Sequence, residues 1–269
     1  MFKFIAPFNY LYFSRLRIKA EVYSLIYIYP LFLAVFLFGF YGVSIHEQGV
    51  LFILILVMWM LPYEIGYIVN DSITINKERY PNLRIPADDI NYISKNLPSI
   101  VAIRLSFLGA IIGVIIFTNL MEWRQIVYCG LYLALISIAF QLHNWIRSRY
   151  NVLTYFVLCV LKYWFPVYFL LDFQFGFEPY IILLFSFPIL RTIEHSVKPK
   201  YEMSSLQELI GPLDTFRAVY YGIGLLSIGV AGFFWGINSI WLYVFIYFFL
   251  FRAGIFLMIK SGVYRRVVS

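Results

Sequence analysis

Glu64, Asp71 and Glu78 recur at seven-residue intervals at the end of an apolar segment, so on a helix they fall along one stripe, with Thr74 between the last two. Carboxylates spaced this way can hold a divalent cation through oxygen ligands and leave coordination positions for phosphate. Charge at the end of a membrane-length apolar run often marks a functional site, because it needs a partner there. The competing reading of this stretch is a solvated helix end.

Other charges lie deeper in apolar runs. Counting ~1.5 Å per residue from the helix ends puts Glu64, Arg104 and Arg252 each roughly 10 Å below the surface, and Lys162 nearer the midplane. An unpaired charge at the centre of a spanning helix costs about 2.5–3.5 kcal/mol on the insertion scale, so these groups are expected to face a polar cavity or each other. The expectation is a cavity whose wall includes Glu64, Arg104 and Arg252. Snorkelling to the interface is the alternative for the two arginines, and a structural hydrogen bond the alternative for Lys162. Most aromatic side chains are read as packing and lipid-facing material. The rest can line an apolar tunnel for a lipid chain and stabilise a carbocation through their ring faces.

The elements that would carry these residues are membrane helices. Of 269 residues 62% are hydrophobic and 21% aromatic, only 13% are charged, and the mean hydropathy is +0.80, which excludes an ordinary soluble domain. Apolar runs at 22–43, 50–69, 97–120, 125–143, 151–171, 178–192, 216–236 and 238–259 read as eight helices near the ~20 residues needed to cross a bilayer. Residues 1–20, rich in aromatics and then bases, suit a helix lying in the interface. The first long apolar run starts after residue 20 and lacks a small-residue cleavage site, so no cleaved signal peptide is expected. The whole chain, 1–269, reads as one transmembrane domain, an all-α bundle of eight or nine helices with site loops at 70–96 and 193–215.

Eight crossings place both termini and the loops at 70–96, 144–150 and 193–215 on one side. That side carries most of the lysines and arginines and is expected to be cytoplasmic, in the cell (inner) membrane. The net charge of +7 is then a topology signal and an attraction for anionic lipid, with no module for nucleic acid. On the same reasoning Asp71 and Glu78 share a compartment with Glu194, His195, Lys198 and Lys200. Cys129 and Cys159 fall inside helices as small apolar side chains, and His46, His143 and His195 lack zinc-ligand spacing.

In layout the chain resembles the UbiA superfamily of intramembrane prenyltransferases. Asn70-Asp71 opens that family's Asn-Asp-x-x-Asp-x-x-x-Asp motif, with Thr74 and Glu78 at the second and third acidic positions. Asn82-Leu83-Arg84-Ile85-Pro86 is similar to the continuation of the motif, Arg147 and Arg149 to a basic pair before the fifth helix, and Arg17 to an arginine before the first crossing. In the second loop, Thr192-Ile193-Glu194-His195-Ser196-Val197-Lys198-Pro199-Lys200 keeps Glu194 as its one acid where the family has several, and a ninth helix is not visible.

The resemblance implies transfer of an isoprenyl group from a prenyl diphosphate to a small-molecule or lipid acceptor. Asn70, Asp71 and Glu78, with Glu64, would hold one Mg2+ ion. Lys198 and Lys200, with Arg84 or Arg147, would clamp the remaining phosphate oxygens, since ammonium and guanidinium groups neutralise phosphate directly. Arg104, Lys162 and Glu194 complete the expected substrate-binding set. The alternatives are a UbiA-type terpene cyclase, a phosphoribosyl-type transferase, and a non-catalytic lipid-binding membrane subunit.

Overall fold

A computed structural model of the chain describes residues 2–16, 18–77, 83–171 and 175–261; among these it is helical, with no strand. Packing divides the chain into two units, 1–175 and 176–269. The first contains α1 (Phe2–Ile5), α2 (Asn9–Arg15), α3 (Lys19–Phe40), α4 (Ile45–Ser72), α5 (Ala87–Phe117), α6 (Trp123–Trp145) and α7 (Asn151–Leu171). The second contains α8 (Glu178–Ser186), α9 (Pro188–Ser196), α10 (Ser204–Ile210), α11 (Leu213–Trp235) and α12 (Ser239–Lys260).

Seven of these helices, α3 to α7, α11 and α12, are long and apolar enough to cross a bilayer, which makes the chain a multi-pass helical membrane protein. The run expected as a further crossing at 178–192 is instead broken. Phe187 leaves helical geometry (φ −144°, ψ −50°), and Pro188, which has no N–H, starts a new helix. The break frees carbonyls that lipid cannot satisfy, and two tyrosines of α11 supply the donors. Tyr220 Oη donates to the Phe185 carbonyl and Tyr221 Oη to the Ser186 carbonyl, both at 2.6 Å.

Helix α4 is the hub of the first unit: 56% of its apolar window is buried, against 17% for α5. Its contact with α6 is close because Gly66 lies against the Phe140 ring, where any Cβ would come within 2.4 Å of ring carbons. Asn144 Nδ2 donates to the Gly66 carbonyl at 2.9 Å across the same contact. In α3, Pro30 is accommodated by a π turn, Tyr27–Leu31.

The helices run past the apolar segments that announced them. α5 begins at Ala87 with Asp88 and Asp89 in its first turn, where carboxylates complement the helix dipole, so the 70–96 loop is shorter than expected. The 193–215 region likewise contains the end of α9, a 3-10 turn at Pro199–Tyr201 and α10.

The N-terminal segment also departs from a helix lying flat in the interface. Phe2, Tyr12 and Phe13 are exposed, but Phe4 and Tyr10 are buried in a core cluster with Ile68, Ile85, Ile93 and Ile100.

Candidate functional site

Glu64 and Arg104 meet at 2.8 Å with no exposed surface on either side chain. Each also serves the N-terminal segment. α2 has no side-chain cap of its own, and its N-cap residue, Phe8, sits in the left-handed region (φ 66°). Glu64 is that cap: its carboxylate accepts from the Phe8 N–H at 3.0 Å and the Leu11 N–H at 2.7 Å. Arg104 does the converse, donating from Nε to the Phe4 carbonyl at 2.7 Å and from Nη2 to the Ala6 carbonyl at 3.4 Å. The pair expected to line an open cavity is therefore covered by residues 4–11, and neither side chain has surface left for a substrate.

One stripe position further on, Asp71 is 1% exposed and its carboxylate accepts four hydrogen bonds. Arg15 Nη1 and Tyr10 Oη donate to Oδ2 at 2.6 and 2.9 Å, and Arg15 Nη2 and Asn70 Nδ2 donate to Oδ1 at 2.9 and 3.1 Å. The Arg15 guanidinium also lies 4.3 Å from the Tyr67 ring centroid. Burial, and then the Asp71 charge, push the Tyr10 hydroxyl well above the usual phenol range, so it remains a donor. Burial alone would lower Arg15; the Asp71 hydrogen bonds and charge outweigh it and raise the guanidinium above its ordinary value.

These contacts decide whether the expected Mg2+ fits. A carboxylate has about four lone-pair sites, and all four on Asp71 face donors, two of them from the Arg15 guanidinium. A Mg2+ ion needs such oxygens at about 2.0–2.1 Å, in the place the guanidinium holds. Among the described residues no three His, Cys, Asp or Glu side chains group as metal ligands. Glu78, the third member of the expected set, lies outside the described residues, as does Arg17. The described residues do not fit the metal.

The basic residues around the Asn70–Asp71 corner do converge. Arg147, after α6, donates from Nη2 to Asn70 Oδ1 at 3.2 Å, to Thr74 Oγ1 at 2.8 Å and to the Thr74 carbonyl at 3.0 Å. Lys77 Nζ lies 3.7 Å from the Trp145 ring centroid, and Arg84 is within electrostatic reach of Tyr10. Asn151 fastens the turn below, donating to the His143 and Ile146 carbonyls at 2.7 Å each. Lys162 keeps its ammonium over aromatic faces, 4.0 Å from the Tyr29 centroid and 5.2 Å from that of Trp59.

In the second unit Glu194, 5% exposed, is held by two arginines absent from the expected set. Arg191 pairs with Oε2; Arg217 Nε donates to Oε1 and its Nη2 to Oε2 at 2.9 Å, while its Nη1 takes Asp214 at 2.7 Å. Burial pushes the Glu194 carboxyl up; the Arg191 charge and the Arg217 hydrogen bond prevail and hold it at about 2. Tyr201 Oη and His195 Nε2 are 2.6 Å apart. Lys198 and Lys200, expected to clamp the diphosphate, are exposed on this unit, Lys200 lying 4.9 Å from the Tyr201 ring centroid.

The signals for the missed residues were partly present. Arg191 and Asp214 stand three positions from Glu194 and Arg217, a helical pairing distance. Nothing in the spacing joins Arg15 to Asp71 or Arg217 to Glu194. Comparison of the chain with family models, with curated proteins and with solved structures gives no match.

Proposed function

We propose that this protein is an intramembrane transferase that binds an isoprenyl diphosphate at the basic end of its first unit and passes the prenyl group to a small-molecule or lipid acceptor. The observation that carries this reading is the hydrogen bond from Arg147 to Asn70, which joins two motifs 77 residues apart that the UbiA resemblance pairs around one diphosphate. Arg147, Lys77 and Arg84 supply positive charge for phosphate oxygens. The apolar helices around them offer a chain-length environment for the isoprenyl tail.

In this reading Asp71 is a positioning residue. It fixes Asn70 and Arg15, and through Asn70 the face that Arg147 presents. The chemical step breaks the allylic C–O bond, and the diphosphate leaves with the electron pair into the cationic site. The acceptor nucleophile then bonds to the allylic carbon and releases its proton.

A non-catalytic lipid-binding subunit is the second reading, favoured by the saturation of Asp71. Native mass spectrometry with geranyl, farnesyl and geranylgeranyl diphosphates, with and without magnesium, tests the binding step in wild type and Arg147→Gln. Pyrophosphate release in native membranes then tests transfer. Binding that falls in Arg147→Gln together with pyrophosphate release supports the transferase. Binding without release moves the protein to the second reading, and no binding by any of the three sinks the prenyl-diphosphate assignment.

A further inference from the structure

Arg252 is the buried charge for which neither the bundle nor the proposed reaction has a use. Its side chain is 7% exposed, its Nε is sealed from solvent, and none of its nitrogens hydrogen-bonds to a described residue. Its charge is within electrostatic reach of Arg191, Arg217, Glu194 and Tyr221 of the same unit. Both nearby carboxylates are engaged by other arginines: Glu194 by Arg191 and Arg217, and Asp214 by Arg217. The cluster therefore sets three guanidiniums against two carboxylates.

The surplus has no other source of neutralisation within the unit. Its remaining acids are Glu202 and Glu208, which are exposed, and Glu178, which bonds to Asn238 and Trp241; residues 262–269 contain no Asp or Glu. A buried cation without a counter-charge is strongly unfavourable, and an oxyanion bound beside it would relieve that cost. Guanidinium favours planar, bidentate oxyanions, phosphate above all. The apolar flanks of α11, with Val219, Ile223 and Leu226 exposed, suit a phosphate that carries acyl chains.

The geometry points to a phosphate-binding site formed by Arg252 with Arg217 and Arg191, for the phosphate of a membrane lipid headgroup or of a free phosphate. It lies wholly in the second unit and does not depend on the transferase reading.

The test uses the full chain in detergent, comparing wild type, Arg252→Gln and Arg252→Lys by native mass spectrometry and thermal unfolding. Probes are phosphatidylglycerol, phosphatidic acid, phosphatidylcholine as the zwitterionic control, and inorganic phosphate. Binding of an anionic phospholipid or of phosphate, weakened about tenfold in Arg252→Gln and largely restored in Arg252→Lys, is the expected result. The first probe would name a headgroup as the source and the second a soluble phosphate. Without added ligand, Arg252→Gln should unfold no earlier than wild type, since it removes an uncompensated charge. Equal binding by both proteins, or an Arg252→Gln variant that unfolds earlier with and without ligand, overturns the site.

Discussion

Arg15 and Asp71, 56 residues apart, form a two-pronged pair at 2.6 and 2.9 Å with Asp71 almost completely buried. The residue at the head of the acidic motif is thereby an anchor for the N-terminal segment. Removing one partner of such a pair leaves a buried charge and typically costs about 3–5 kcal/mol. Asp71→Asn and Arg15→Gln should each destabilise by about that much, whereas the double variant should lose far less than their sum. Thermal unfolding of the four proteins in detergent measures the coupling. Additive losses would show that the two residues act separately.

Glu64 predicts a different phenotype, because it caps α2 and neutralises Arg104 at once. Glu64→Gln should free the N-terminal segment. Ser14→Cys, near-isosteric and 2% exposed, reports this by maleimide labelling, since Cys129 and Cys159 are buried. Labelling should be slow with Glu64 present and fast in Glu64→Gln. Equal rates would mean that the segment stays in place without the carboxylate.

Gly66 is a steric prediction. A methyl group there meets the Phe140 ring at 2.4 Å, and that ring is itself wedged between Tyr63 and Tyr67, with centroids 4.7 and 5.4 Å away. Gly66→Ala should cost about 1–3 kcal/mol, the usual penalty for overpacking. Phe140→Leu in the same chain should recover part of it. A neutral Gly66→Ala would show that the α4–α6 contact can open to admit a methyl group.

The legible part of this protein was what depends on local sequence. Apolar runs mark the seven long helices, and the Glu64–Asp71 stripe does lie at one polar end of α4. Partner choice was not legible. Whether Asp71 meets a metal or an arginine depends on how the chain returns from residue 15, and spacing carries no record of that. The break at Phe187 shows a second limit, since Phe187-Pro188 sits in a run whose hydropathy is continuous. The two tyrosines of α11 take the freed carbonyls, and each lies 35 residues along the chain from the carbonyl it bonds. The Lys162 ammonium illustrates the third: its place inside an apolar run was readable, but its aromatic partners, Tyr29 and Trp59, come from two other helices.

Acid should act on the second unit through Glu194. Its carboxyl falls from an ordinary 4.5 to about 2 in the folded protein because Arg191 and Arg217 favour the charged form beyond what burial opposes. A depressed folded value stabilises the fold above the unfolded one, so this contribution is complete at neutral pH and is lost as pH falls from 4.5 toward 2. Glu194→Gln should therefore be less stable than wild type at neutral pH, with the difference shrinking across that window. Thermal unfolding of both proteins at pH 7, at the ordinary carboxylate value and about one unit below it gives the comparison. A constant gap between the two proteins would mean that Glu194 is not held ionised by its arginines.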